Sequence, residues 1–259
     1  MFEELLNRAH AWRNRQVHRS LFERSRREFH SKLYHSDDEI RLLSGPFAGM
    51  FYLNTSSFGP VTPKWLGSYE WEIQDLVKHF CNDGYELVVN VGSAEGYDAV
   101  GFAWRSRRSR VLAFDIDPFA RREVAHLARM NGVSERVTVA HTFSRSKLDA
   151  FSQEKTLLFV DIEGAEREFL DPSNCSALKR FDILVEVHEL PEVEELLKNR
   201  FGQTHVIERR AQTDRTEWQV KHKELWSDRF NKDEIYLGTN EFRTGRQAWL
   251  WLKARERDF

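Results

Sequence analysis

Apolar residues recur along this chain with two periods, and most of its length alternates between them. From residue 86, short apolar runs typical of buried strands alternate with stretches in which apolar side chains recur every three or four residues. The predicted strands are 86–91, 110–115, 135–140, 156–161, 181–187 and 203–208, and the predicted helices are 95–104, 118–131, 163–170 and 191–200. Asp117-Pro118 and Asn131-Gly132 supply a start and a stop for the second of these helices. This alternation is typical of an α/β fold with a parallel sheet, which binds ligands at the carboxyl ends of its strands.

The segments before residue 86 follow a different pattern. Residues 1–35 predict a helix whose apolar stripe consists of Leu5, Leu6, Ala9 and Trp12. Residues 40–63 carry glycine and proline between short apolar pieces and predict turns, with a hairpin as an alternative. Residues 64–81 predict a single helix, because their apolar side chains fall on one face.

A polar stretch at 209–245 interrupts the alternation late in the chain. Its aromatic and leucine positions indicate an amphipathic helix that either closes over a substrate as a lid or covers the sheet edge; they are Trp218, Leu225, Trp226 and Phe230. Residues 247–253 alternate in the manner of a last strand. We therefore predict a helical and hairpin extension over 1–63 and a main domain over 64–259 with an insertion at about 209–245.

Composition places the chain among folded globular proteins. Of its 259 residues, 41% are hydrophobic and 31% are charged, and no apolar run approaches the roughly 18 residues of a membrane span. The N-terminus has early acidic residues and no apolar signal core, which favours a cytoplasmic location. Cys81 and Cys175 form no CxxC pair, so a reduced setting without structural zinc is expected.

Charge is distributed unevenly although the formal net charge is only −2. Residues 1–32 contain eight Lys or Arg against four Glu. A basic arm over 8–32 could contact nucleic acid, an anionic lipid surface or an acidic partner. The alternative, which we favour, is an ordinary solvated helix face.

Residues 89–96 read V-N-V-G-S-A-E-G, so a buried strand ends in a glycine turn and a helix follows. Such a turn lets the backbone approach a ligand, and the helix start offers free N–H groups. The dinucleotide fingerprint needs glycine where Ala94 stands, and no Gly-Lys-Ser/Thr follows Gly96. Asp115 ends the next strand, where a carboxylate can accept both hydroxyls of a ribose. Ribose without a pyrophosphate cradle suits S-adenosylmethionine.

Four segments in the same order resemble the motifs of class I S-adenosylmethionine-dependent methyltransferases, and more closely those of the FkbM-type family. They are VVNVGSAEGYDAVGFA, VLAFDIDP, LLFVDIEGAEREFL and ILVEVHE, in which D-I-E-G-A-E matches the family signature D-V-E-G-x-E. The resemblance implies a Rossmann-like fold with a seven-stranded, mostly parallel sheet whose last strand is antiparallel. It also implies helices on both faces of the sheet, which here follow the N-terminal helical extension.

The resemblance also implies a set of cofactor contacts. Gly92, Ser93 and Gly96 would pass under the methionine part of the cofactor, and Asp115 would hold the ribose. Ile116 would touch the adenine face, and the turn at Thr142 and Phe143 would lie near the adenine edge. Two positions depart from the family: Asn90 stands where an acid is usual, which implies a weaker or water-mediated contact with the amino group, and Phe159 replaces a basic residue.

Acidic residues and a histidine follow two strands that the predicted sheet could place side by side. Asp161 and Glu163 end the fourth strand, and Glu186 and His188 end the fifth. Asp161, Glu163 and His188 are the candidate catalytic residues, with His188 as a general base and Asp161 also beside the cofactor. Alternatively, Asp161, Glu186 and His188 hold Mg²⁺ or another divalent cation. The plainer alternative is that Asp161 caps the next helix and the other two make ordinary hydrogen bonds.

The function predicted from these residues is transfer of a methyl group. Enzymes that methylate base nitrogens commonly carry D/N-P-P-Y/F after the fourth strand, where this chain has D-I-E-G. The resemblance implies O-methylation of a small molecule, a sugar or a glycan precursor. The alternatives are a nucleic-acid methyltransferase that uses the basic arm, a non-catalytic cofactor-binding scaffold, and, more weakly, a dinucleotide oxidoreductase. A homo-oligomer is possible, and the sequence does not identify the methyl acceptor.

Overall fold

The computed structural model describes residues 19–142, 148, 151, 154–188, 190–243 and 247–255. The chain divides into two compact units. Met1–Tyr69 and Asp214–Arg243 form what we call the helical unit, and Glu70–Thr213 and Thr244–Phe259 form the sheet unit. The division predicted from the sequence, at residue 63 and around 209–245, stays a prediction.

The sheet unit is built on seven strands in the order β3-β2-β1-β4-β5-β7-β6. The strands are β1 (Leu87–Val91), β2 (Arg110–Phe114), β3 (Val137–Ala140), β4 (Thr156–Val160), β5 (Asp182–Val187), β6 (His205–Ala211) and β7 (Ala248–Ala254). β1 to β5 pair in parallel, and β7 is antiparallel to both β5 and β6. The predicted fold class, a mostly parallel seven-stranded sheet with an antiparallel last strand, is confirmed.

In the part of the sheet unit that the structure describes, α-helices precede or connect the strands. These helices are α3 (Gln74–Asn82), α4 (Tyr97–Arg105), α5 (Pro118–Met130), α6 (Glu166–Phe169) and α7 (Glu192–Phe201). The start predicted for α5 is confirmed, since Asp117 accepts a hydrogen bond from the N–H of Phe119 and Pro118 occupies the first turn. The helix predicted over 163–170 is shorter than expected, because Glu163 and Gly164 have φ angles of +52° and +105°, which a helix cannot contain.

The two faces of the sheet differ in character. One face packs an apolar cluster that includes Val89 of β1, Leu158 of β4 and Val185 of β5. On the opposite face, Asn90 lies beside Phe159 in the register of β1 and β4. Because side chains alternate along a strand, Asp161 and Glu186 belong to this second face, at the carboxyl ends of β4 and β5.

The single helix predicted over 64–81 is wrong. The chain forms α2 (Thr62–Leu66), a short 3₁₀ turn at Trp71–Ile73 and then α3. Gly67 ends α2 with a φ of +83°, and its N–H donates to the carbonyls of Pro63 and Lys64. A side chain there would also overlap the backbone of Ser44 at 2.3 Å, so close packing fixes glycine at the break.

The helical unit contains α1, helical over residues 19–33, together with α2, α8 (Thr216–Lys221) and α9 (Lys232–Thr239). The hairpin considered for 40–63 is reduced to one antiparallel bridge between Arg41 and Phe51. The predicted stripe from Leu5 to Trp12 lies outside the described residues.

The aromatic residues of the late polar stretch are partly core residues of the helical unit. Trp218 is buried and donates its Nε1–H to the carbonyl of Gly67 at 3.1 Å. Phe230 is buried and stacks on Phe29, with ring centroids 4.0 Å apart. Both side chains therefore pack inside this unit rather than standing exposed as a lid would need. Among the helices in the described ranges, none is long and apolar enough to cross a membrane.

Candidate active site

The glycine turn after β1 is fixed by the two strands that flank β1. The N–H groups of Gly92 and Ser93 both donate to the carbonyl of Phe114 at the end of β2, at 2.9 and 3.0 Å. Gly92 has a φ of +82°, and a Cβ on it would lie 1.6 Å from the carbonyl oxygen of Asp161. Packing against the end of β4 therefore requires glycine at this position, whether or not a ligand passes over it.

Asp115 links the glycine turn to the loop after β2. Its Oδ2 accepts a hydrogen bond from the N–H of Ala94 at 2.8 Å, and its Oδ1 accepts one from the N–H of Asp117 at 2.8 Å. A carboxylate has about four lone-pair positions, so this orientation leaves acceptor capacity for a pair of hydroxyls. The neighbouring Ile116 is an apolar side chain that is 76% exposed, as expected of a side chain that a planar ring could cover.

Several buried polar atoms near the turn make no hydrogen bond within the residues that the structure describes. Among them are Oδ1 of Asn90, inside β1, and Oγ of Ser93, in the turn itself. A buried polar atom without a partner costs about 1–3 kcal/mol, so a ligand with hydrogen-bonding groups fits this place. Thr142 is exposed just beyond β3, and Phe143 lies outside the described residues.

The acidic residues predicted after β4 and β5 lie around His188. Asp161 continues the ladder of β4, donating its N–H to the carbonyl of Val91 at 3.0 Å. The Nε2 atom of His188 lies 3.5 Å from Oδ1 of Asp161, 3.4 Å from Oε2 of Glu163 and 3.6 Å from Oε2 of Glu186. The histidine side chain is 10% exposed and that of Glu163 is 72% exposed, so the cluster opens to solvent through Glu163.

Glu166 is a member of the cluster to which sequence reasoning assigned no role. It is fully buried; its Oε1 accepts the N–H of Gly164 at 3.0 Å and lies 3.0 Å from Nδ1 of His188. The left-handed backbone at Glu163 and Gly164 turns the chain so that Glu166 lies next to His188. The available signal was the last acid of D-I-E-G-A-E, but a motif letter does not name its partner on another strand.

The pKa values of this pair move in opposite directions. Burial alone would raise the pKa of Glu166, but the hydrogen bonds from His188 and Gly164 outweigh it and lower the pKa. Burial alone would lower the pKa of His188, but the hydrogen bond to Glu166 and the charges of Asp161, Glu166 and Glu163 raise it. The pair is therefore held together by charge as well as by geometry.

The cap considered for Asp161 assumed a helix beginning near Glu163, but α6 begins at Glu166 and its N-cap residue is Ala165. His188 does make one ordinary hydrogen bond, to Glu166, but its second ring nitrogen makes none within the described residues.

Phe159 stands where the family that the chain resembles often has a basic residue. It is a core residue on the face of the sheet that also carries Asp161. Its ring lies 5.9 Å from that of Phe102 and 5.2 Å from that of Trp249, between centroids. The side chain is fully buried between helix α4 and strand β7, so its apolar character follows from this packing.

No family model and no curated protein matches this chain. Solved structures match at low identity. An O-methyltransferase from Bacillus cereus in complex with SAH is 12% identical with a TM-score of 0.44, over 69% of this chain and 79% of that chain. Precorrin 8W decarboxylase from Methanobacterium thermoautotrophicum is 16% identical with a TM-score of 0.44, over 70% and 89%. Precorrin-6y C5,15-methyltransferase from Geobacter metallireducens GS-15 is 11% identical with a TM-score of 0.42, over 70% and 87%. At these values the likeness assigns neither activity nor substrate, and the FkbM-type resemblance rests on its motifs alone.

Proposed function

We propose that this chain is an S-adenosylmethionine-dependent methyltransferase that methylates a hydroxyl oxygen of a small molecule or saccharide. The observation that carries the proposal is the carboxylate of Asp115, which two backbone N–H groups orient at the end of β2. It lies between the glycine turn and the exposed side chain of Ile116, as a ribose-binding acid should.

The cofactor would be held by residues of β1, β2 and the loops that follow them. Gly92, Ser93 and Gly96 would face its methionine part. The oxygens of Asn90 and Ser93 that make no hydrogen bond within the described residues could accept bonds from its amino group. Asp115 would accept the ribose hydroxyls, with Ile116 against the adenine face and Thr142 near its edge. When bound, S-adenosylmethionine supplies an electrophilic methyl group on a positively charged sulfur.

The residues around His188 would serve the methyl acceptor. Holding an acceptor oxygen in line with the methyl group can contribute about 7–11 kcal/mol to lowering the barrier. A hydroxyl acceptor must also lose its proton. The carboxylates around His188 form an acidic rim, and those of Asp161 and Glu163 could accept a hydrogen bond from the hydroxyl. We therefore assign Asp161, Glu163 and His188 to acceptor binding and activation, with Asp161 also adjoining the cofactor turn through Gly92.

The charge of this rim favours a hydroxyl acceptor over nucleic acid. Four carboxylates, those of Asp161, Glu163, Glu166 and Glu186, surround one histidine and would repel phosphates. In the described part of the basic arm, Arg24 pairs with Glu28, and Lys32 pairs with Glu234. These pairs support the interpretation of the arm as a solvated helix face.

The proposal is tested by titrating the protein with S-adenosylmethionine and S-adenosylhomocysteine in a calorimeter, with and without Mg²⁺. We expect wild type to bind both and Asp115→Asn to bind at least tenfold more weakly, because hydrogen bonds to a charged group contribute about 1.5–3 kcal/mol. Asp117→Ser is the matched control, since it also removes one negative charge but retains an oxygen that can cap α5. Binding of NAD in preference to these ligands, or equal losses in both variants, would contradict the proposal.

A further inference from the structure

The Nε2 atom of His188 faces carboxylate oxygens without a hydrogen bond to any of them. Its distances to Asp161, Glu163 and Glu186 are 3.4–3.6 Å, beyond the range of a normal N–H···O bond. The histidine side chain is nine-tenths buried, and no other described residue supplies a partner for this atom. A buried ring nitrogen directed into a group of carboxylates indicates that something else completes the site.

The spacing of these atoms fits one metal ion. One ligand atom each from Asp161, Glu186 and His188 lies within 4.8 Å of the other two. Two ligands that are each about 2.0–2.4 Å from an ion can be at most roughly 4.8 Å apart, so small side-chain movements would allow all three to bind the same ion. Glu163, which is more exposed, stands where it could supply a fourth oxygen.

Glu166 orients His188 as an outer partner of a metal ligand would. Nδ1 lies 3.0 Å from Oε1 of Glu166, a carboxylate oxygen that accepts its N–H, so Nε2 is the nitrogen that would face the carboxylates and bind an ion in place of its proton. Metal-binding histidines almost always donate their second N–H to a carboxylate or a carbonyl in this way. The fully buried position of Glu166 and its bond from Gly164 hold this partner in place.

We propose that Asp161, Glu186 and His188 bind a divalent first-row metal cation of the Mn²⁺ type. Carboxylates suit Mg²⁺, Ca²⁺ and Mn²⁺, whereas an imidazole suits transition metals, and Mn²⁺ satisfies both preferences. Ca²⁺ takes six to eight oxygen ligands, and both cysteines lie outside the cluster, so neither a calcium site nor a thiolate zinc site fits.

A cation at this site would take part in the function proposed above. The use of the cation in methyl transfer rests on that function, whereas the binding of the cation to the protein does not. Bound at the carboxyl ends of β4 and β5, the cation would coordinate the acceptor hydroxyl and lower its pKa, and the proton would pass to the exposed carboxylate of Glu163 or to solvent. The substrate class would then be molecules whose oxygen can reach the cation, such as alcohols, sugars and phenols.

The test measures Mn²⁺ binding to metal-stripped protein without any S-adenosylmethionine, by electron paramagnetic resonance and by calorimetry. We expect wild type to bind one Mn²⁺, and His188→Asn and Glu186→Gln to bind at least tenfold more weakly. We expect Glu166→Gln to weaken binding about 10–100-fold, since outer partners have effects of this size. Glu168→Gln, an exposed change in the same helix, is the control and should bind like wild type.

The outcomes are separable from those of the cofactor test. Each variant is first compared with wild type by circular dichroism, and Asp161→Asn replaces any variant that does not fold. Absence of Mn²⁺ binding in folded wild type, unchanged binding in His188→Asn, or tighter binding of Ca²⁺ than of Mn²⁺ would overturn the inference. The Mg²⁺-free cofactor titration is carried out in EDTA, so its failure would count against the methyltransferase proposal and leave the metal result unaffected.

Discussion

At the scale of single residues, Gly92 connects the cofactor turn with the acidic rim. Its missing side chain leaves room for the carbonyl oxygen of Asp161, which would lie 1.6 Å from a Cβ. Gly132 also has a positive φ, of +66°, but nothing lies within 4 Å of the place where its Cβ would be. Substituting each glycine in turn therefore distinguishes the cost of a left-handed backbone, present at both positions, from the cost of steric overlap, present only at Gly92.

We expect Gly132→Ala to cost roughly 1–2 kcal/mol of unfolding free energy, the penalty for a side chain in the left-handed region. Gly92→Ala should cost several kcal/mol more, because Asp161 must move as well. Urea unfolding of both variants measures the difference, and S-adenosylhomocysteine titration shows whether the turn has moved. Equal losses of stability in the two variants would contradict the packing argument.

His205 allows a prediction on pH at the same scale. It is buried, with Nε2 at 2.9 Å from the carbonyl of Phe181 and Nδ1 at 2.8 Å from the hydroxyl of Thr204. Burial lowers the pKa of His205, and the charge of Arg255 adds to this, against the raising effect of the carbonyl of Phe181. The native protein therefore keeps this ring neutral to a lower pH than the unfolded chain does.

The unfolded chain binds the proton first as the pH falls below about 6.5, the ordinary pKa of histidine. The stabilisation is complete above that pH and is lost as the pH falls from there toward the folded pKa. His205→Gln keeps an N–H for Phe181 but does not titrate in this range. We expect wild type to lose stability relative to this variant between about pH 6.5 and pH 5, as measured by thermal unfolding; a constant difference across this range would argue against a neutral buried ring.

At the scale of elements, strand β4 carries apolar residues into the sheet and acids onto its rim. Phe159 lies two residues before Asp161, so both side chains belong to the same face of the sheet. The ring of Phe159 packs between those of Phe102 and Trp249. We expect Phe159→Leu to cost roughly 1–2 kcal/mol, since it keeps an apolar side chain of smaller size. Phe159→Lys, which introduces the kind of residue that the resembling family carries, should cost much more because its charge would be buried.

Thermal unfolding of the two Phe159 variants checks this expectation. If Phe159→Lys were as stable as Phe159→Leu, then the position would have access to water and the aromatic packing would not explain the departure from the family. The conservative variant serves as the control, because it changes packing without changing charge.

Most strands of the sheet could be predicted from the sequence because they are continuous apolar runs, and a strand buried on both faces has few other patterns. The break in the predicted helix over 64–81 could not be, since the apolar spacing continues on both sides of Gly67 and the contact that fixes glycine there comes from Ser44. The pairing of Glu166 with His188 was missed for the same reason: it joins the first residue of α6 to the residue after β5, and periodicity reports only on neighbours along one element.

At the scale of the whole molecule, the proposed functions concentrate in one of the two compact units. Every candidate cofactor, acceptor and metal residue lies between Asn90 and His188, within the sheet unit. The helical unit has its own aromatic core, in which Phe29 stacks on Phe230. The formal net charge of −2 is a sum over the whole chain and does not reveal the acidic cluster around His188 in the sheet unit.

This division predicts where a bound cofactor protects the backbone from hydrogen exchange. A ligand at 100 times its dissociation constant stabilises the state that binds it by about 2.7 kcal/mol, and the stabilisation is greatest where the contacts are made. With saturating S-adenosylhomocysteine, we expect protection to rise most at 90–97, 113–118 and 158–164, as followed by mass spectrometry. At the same ligand concentration, Asp115→Asn should show a smaller rise in protection, since it removes the carboxylate that the turn orients and binds the ligand at least tenfold more weakly. Protection centred on the helical unit at 19–69 or 214–243 would show that the ligand binds elsewhere and would move the cofactor site out of the β1 turn.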